Sequence, residues 1–144
     1  MGNASSSPIT VVVEVRRPRA VVWDCWTKPE HILRWYFASD DWHVTKAEND
    51  LSIGGSFLTR MEAKDGSFGF DFYGIYTKVL PLELIEFTLG DDRKVNIRFE
   101  ETVEGTRVTE IFEAENTNPP ELQKGGWQAI LNNFKKHAEA VQLP

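Results

Sequence analysis

The sequence predicts an α+β fold: a curved antiparallel sheet of about seven strands gripping one long C-terminal helix, with two short helices after the first strand. Three observations predict it. Between Asp40 and Glu115 the apolar residues follow a period near two, interrupted by tight-turn residues. From Gly126 to Val141 the period changes to three and four, which draws one apolar stripe along a helix. No repeat and no shift of composition divides the 144 residues, so both patterns belong to one domain. A long antiparallel sheet must cover one face, and only the last helix is long enough to do so. Such a grip often leaves a cavity between sheet and helix.

Residues 1–8 read as a flexible polar tail and residues 9–144 as the domain. Ile9 to Arg17 alternates, with Val11, Val13 and Val15 on one face, and predicts a strand. Pro18 opens a short helix, because its fixed φ suits a first turn. Val22, Trp23 and Trp26 share a side of that helix. Thr27-Lys28-Pro29-Glu30 has the spacing of a capping box for a second helix, whose apolar side is Ile32, Leu33, Tyr36 and Phe37. Six strands follow, at about 42–48, 52–64, 68–80, 83–89, 94–103 and 106–115. Asn49-Asp50, Asp65-Gly66, Gly90-Asp91-Asp92 and Glu104-Gly105 supply the turns between most of them, and Pro81 separates the third from the fourth. Asn118-Pro119-Pro120 stops the sheet. Trp127, Ile130, Leu131, Phe134, Ala138 and Val141 then form the stripe of the closing helix, with Trp127 expected to lie buried.

The composition narrows the function. A net charge of −6 disfavours nucleic acid, whose binding rests on phosphate neutralisation. One cysteine, Cys25, excludes an internal disulfide framework and multi-cysteine metal sites. No apolar run reaches the roughly 20 residues of a membrane span, and no signal peptide is seen, so a cytoplasmic protein without stable membrane insertion is expected. Met1-Gly2-Asn3-Ala4-Ser5-Ser6 fits the permissive myristoylation pattern, which a polar tail also satisfies by chance.

Little in the sequence marks a reaction. No zinc-protease, phosphate-loop, nucleophile-elbow or calcium-loop pattern occurs. His31, His43 and His137 share no helical face or strand alternation, so neither a metal nor any other cofactor is expected, and stability should be indifferent to chelator, Zn²⁺, Mg²⁺ and ATP. Cys25 reads as a small buried hydrophobe, although a thiolate–imidazole pair with His31 is conceivable. Glu110 is the candidate catalytic residue. It falls between Val108 and Phe112 in the same alternation, and an inward carboxyl there has a raised pKa and the character of an acid or base. Arg60 and Asp71 are polar neighbours of apolar residues on their own strands. Aromatics reach 12% of the chain, which favours a lined cavity. Its expected lining is Phe57, Met61, Phe70, Phe72, Tyr76, Phe87, Ile97, Phe99 and Phe112 from the meander. Trp35 joins from the second helix, and Trp127, Leu131 and Phe134 from the last.

Several separated motifs resemble one family. Trp23-Asp24-Cys25-Trp26-Thr27-Lys28-Pro29-Glu30 and the run on to Trp35 resemble the opening of the domain named after the activator of Hsp90 ATPase. Gly54-Gly55-Ser56-Phe57, Gly74 with Tyr76, Pro81 and Leu84, Gly105 to Thr109, and Gly126-Trp127 with Leu131 resemble its later motifs, in order, from about Ile9 to Val141. That domain lies within the START-like, Bet v 1-like superfamily of helix-grip proteins.

The resemblance implies the helix-grip fold. It implies a function only by class, since fold does not deliver activity. Relatives bind lipids, sterols, polyketides or plant hormones, with stress response among their roles, and some are polyketide cyclases or aromatases. The expected function is therefore binding of a small apolar or amphipathic ligand, by a monomer or homodimer. The alternatives are a cyclase-like enzyme using an interior carboxylate, and an interaction domain with a chaperone partner. The eukaryotic co-chaperone carries this domain beside a separate Hsp90-activating domain that has no counterpart in this sequence.

Overall fold

The computed structural model describes residues 8–142. Gly2 and most of the polar tail lie outside the described residues. Strand β1 (Pro8–Val15) is followed by α1 (Arg19–Thr27) and α2 (Pro29–Ile32). A meander of β2 (Trp42–Asn49), β3 (Ser56–Ala63), β4 (Gly69–Leu80), β5 (Leu84–Leu89), β6 (Lys94–Glu101) and β7 (Thr106–Glu113) leads to α3 (Pro120–Ala140). The sheet has seven antiparallel strands in the order β1-β7-β6-β5-β4-β3-β2, so β1 completes the meander at the edge of β7. Pro8, placed in the tail by the sequence reading, already pairs with Glu113.

Strict alternation decides which face packs. In β1 the inward residues are Ile9, Val11, Val13 and Val15, and in β7 they are Thr106, Val108, Glu110 and Phe112. The sheet curls round α3, whose Leu131, Phe134 and Ala138 have no exposed surface. The helical pair closes one end. Trp26 meets Trp35, Phe99 and Phe134 at ring separations of 4.8, 5.9 and 4.9 Å, a tilted and edge-on cluster of the kind aromatic quadrupoles favour.

Four local expectations are corrected. Helix α3 begins at Pro120, six residues before the apolar stripe. Pro119 and Pro120 do not merely stop the sheet, because Pro at a first helical turn forfeits no hydrogen bond. The capping box does not form. Thr27 Oγ1 donates back to Trp23 O at 2.8 Å, and Lys28 is the N-cap of α2 without a side-chain cap. Helix α2 is a single turn, so Leu33, Tyr36 and Phe37 follow it in irregular chain. The strand expected from residue 52 starts only at Ser56, because Gly54-Gly55 turn the chain into β3 instead of lying within it. Gly54 has φ +85, and a Cβ on Gly55 would stand 2.3 Å from Asp50 O. Among the described residues no helix is long and apolar enough to cross a membrane.

Candidate functional site

The centre of the site is set by the alternation of β7. Glu110 faces inward between Val108 and Phe112, and its backbone lies opposite Val11 of β1 and Ile97 of β6. It is 3% exposed. Burial alone pushes its carboxyl up to about 8, with no cation to offset the desolvation. At neutral pH it is therefore mostly protonated and can donate a hydrogen bond. Arg60 and Asp71 sit on the outer face. There Arg60 pairs with Glu62 and Asp71 across exposed strand surface, which gives them no access to the interior.

Glu110 lies in the wall of a cavity of about 250 Å³ between the sheet and the N-terminal half of α3. Met61, Phe70, Phe72 and Tyr36 line it from the sheet side and from the chain after α2. Trp127 and Ile130 line it from α3. Trp127 stacks on Phe112 at 3.8 Å with the rings 9° from parallel, and meets Phe72 edge-on at 6.0 Å. It is partly rather than largely buried, because one side of its ring faces the cavity. The Tyr36 hydroxyl is held well above its ordinary pKa, first by burial and then by Glu110 and Tyr76.

Arg93, Glu115 and Gln123 add a polar border. The buried Gln123 amide donates to the carbonyls of Glu115 and Asn118 at 3.1 and 2.7 Å and accepts from the Glu115 N–H at 2.9 Å. This fastens the start of α3 to the end of β7. Burial raises the Glu115 carboxyl, but hydrogen bonds from Asn118 and Thr117, with Arg93 nearby, outweigh it and hold the group below its ordinary range. The cavity thus joins apolar walls, one neutral interior acid and a charged border.

The structure divides the expected lining. Met61, Phe70, Phe72, Trp127 and Glu110 meet at the cavity. Trp35, Phe57, Tyr76, Phe87, Ile97, Phe99, Phe112, Leu131 and Phe134 pack in the core around it, none more than 9% exposed. Alternation separates inner from outer face but does not tell a residue that fills space from one that borders it. Sequence reasoning missed Tyr36, Ile130, Arg93, Glu115 and Gln123. Ile130 was legible as part of the helical stripe. The others lie at element ends, where no periodicity marks them.

The expectation of dispersed imidazoles is also corrected. His31 Nδ1 and His137 Nε2 stand 2.9 Å apart, though 106 positions separate them in the chain.

The family model described as "Activator of Hsp90 ATPase homolog 1-like protein" matches residues 16–139. An AHSA1-like protein from Aeromonas hydrophila is 42% identical, covers 93% of each chain and superposes with a TM-score of 0.89. A protein from Cytophaga hutchinsonii is 48% identical over 94% of this chain and 93% of its own, with a TM-score of 0.78. A Staphylococcus aureus protein of unknown function shares the fold at 18% identity, over 95% of this chain and 97% of its own, with a TM-score of 0.71. No curated protein matches. The match over nearly the whole domain, with two close structural relatives, places this chain in the family of activator of Hsp90 ATPase homolog 1-like proteins.

Proposed function

We propose that the protein binds a small amphipathic molecule in the cavity between the sheet and α3. The observation that carries this reading is the pairing of apolar walls with a single buried acid, Glu110. A core that served stability alone gains nothing from an unpaired carboxyl, which costs desolvation. A ligand bearing a carbonyl, hydroxyl or amine opposite Glu110 would satisfy it, while an aromatic or short aliphatic body fills the space beside Trp127 and Phe72. The volume lies below the roughly 300–1,000 Å³ of drug-sized pockets, which favours one or two rings over a sterol.

Native mass spectrometry of freshly purified protein tests the proposal, together with a melting screen of small aromatic acids, alcohols and amines, fatty acids and sterols. The expected result is a retained mass or a raised midpoint with small amphipathic compounds, lost in Trp127→Ala. No retained mass and no stabilisation by any apolar compound would overturn it.

One observation favours a second reading. Glu110 and Tyr36 both border the cavity, and each is held neutral at pH 7, so a bound substrate would meet one carboxylic acid able to give up a proton and one hydroxyl able to donate a hydrogen bond. An enzyme that protonates or cyclises a small aromatic substrate fits that pair. Turnover of a retained ligand, abolished by Glu110→Gln with binding preserved, would establish it over simple binding.

A further inference from the structure

Three helices bring metal-ligating atoms together at the end of the molecule away from the cavity. Cys25 comes from α1, His31 from α2 and His137 from the last turn of α3. One donor atom of each lies within 4.8 Å of the other two. A tetrahedral zinc with bonds of about 2.0–2.3 Å sets its donors roughly 3.4 Å apart, so modest side-chain rotations close this triangle. One thiol and two imidazoles form a borderline-soft set, which suits Zn²⁺ and not Mg²⁺ or Ca²⁺.

The backbone carrying these donors is tied together. Trp35 Nε1 donates to Cys25 O at 2.9 Å, and Asn133 of α3 donates to Trp35 O at 2.8 Å. Arg17, just before α1, donates to Ala138 O at 2.9 Å, beside His137, and also to Val141 O. These bonds fix α1, the chain after α2, and α3 relative to one another, as a preformed metal site requires. Cys25 is 1% exposed, whereas the imidazoles are half-buried and border a surface depression with Glu30, Arg34 and Gln142. An ion therefore arrives from the imidazole side, with its fourth position turned to water.

We infer that Cys25, His31 and His137 form a zinc site with an open fourth position, stapling the C-terminal end of α3 to the helical pair. Arg34 and Arg17 oppose a dication there. The thiolate neutralises half of the ion's charge, and Glu30 borders the same depression, while Asp24 is already paired with Lys28 at 3.6 Å. Burial and then Asp24 push the Cys25 thiol up, and Arg17 and Lys28 only partly offset them, so the thiolate has to form as the ion binds. This reverses the expectation of metal indifference, which rested on histidine spacing along the chain.

The test uses the full chain, stripped with chelator, titrated with ZnCl₂ by calorimetry and with CoCl₂ by absorption. One equivalent should bind. Co²⁺ should give a thiolate charge-transfer band in the near ultraviolet and the intense visible bands of four-coordination. Cys25→Ser should abolish the charge-transfer band, and His137→Gln and His31→Gln should each weaken Zn²⁺ binding at least about tenfold. His43→Gln, on β2, should leave both unchanged. Zn²⁺ at about 100 times its Kd should raise the Tm of the wild type by roughly 5 °C or more. If Cys25→Ser does not fold, the two histidine variants decide. No saturable binding, a Co²⁺ spectrum without the charge-transfer band, or affinity unmoved by the histidine changes would overturn the site.

Discussion

At Glu110 the protein holds a carboxyl in an environment that disfavours its charge, and this sets a sign for its pH dependence. The folded group titrates near 8 and the unfolded one near 4.5. Between those values the folded state binds one proton more than the unfolded state, so stability falls as pH rises through this window. Below about 4.5 both states are protonated, and the contribution vanishes. Glu110→Gln keeps shape and removes the titration. Its stability relative to the wild type should therefore grow by about 1.4 kcal/mol per pH unit from pH 5 to 8, measured by urea unfolding at each pH. A constant gap between the two proteins would mean that Glu110 is charged in the folded state. Trp127 and Phe134 separate a cavity wall from a core residue on the same helix. Phe134 has no exposed surface, so Phe134→Ala should cost about 3–5 kcal/mol. Trp127, partly exposed beside the cavity, should cost less, about 2 kcal/mol, with the larger effect on ligand retention. The inward position of Glu110 was legible, because a single strand alternation carries it. The neutral partner Tyr36 was not. It lies just past a one-turn helix that the sequence reads as longer, so its assigned face was that of a helix that has already ended.

At the scale of elements, α3 contains a weakness in its first half. Gly125 and Gly126 are exposed within the helix, neither needs positive φ, and a Cβ at either meets nothing within 4 Å. Gly125→Ala and Gly126→Ala should each stabilise the protein by about 0.4–1 kcal/mol, read as a raised midpoint in chemical denaturation. A loss of stability would show that the helix bends there. Gly74 on β4 is the opposite case. A Cβ there would stand 2.6 Å from Thr88 O and 3.0 Å from the Phe57 ring, which packs over the bare backbone. Gly74→Ala should cost about 1–3 kcal/mol by overpacking, checked in the same assay. The strands were legible to within a few residues at each end because turn residues bracket every one. The first turns of α3 were not, since Pro120 to Lys124 carries no apolar stripe. Those turns are held instead by Gln123, whose bonds reach the end of β7, and bonds of that kind leave no period in the sequence.

At the scale of the whole molecule, one curled sheet and one helix create two chemically distinct regions at opposite ends of α3. The N-terminal half, with Trp127 and Ile130, faces the cavity, and the C-terminal turn carries His137 against His31. The overall fold was legible because it follows from two periods and their order. The meeting of Cys25, His31 and His137 was not, because it arises only once α3 returns across the sheet to the helical pair. The same geometry predicts how the two regions depend on each other. Between them lie Leu131 and Phe134, packed without exposed surface, and Asn133, bonded to Trp35 O. This rigid middle separates the ends, so events at one should add to events at the other without strong coupling. Saturating an apolar ligand and Zn²⁺ together should raise the Tm by about the sum of the separate shifts. Trp127→Ala should abolish only the ligand's part, and His137→Gln only the metal's. A joint shift far from the sum, or loss of both parts in either variant, would show that α3 moves as one body between the two sites.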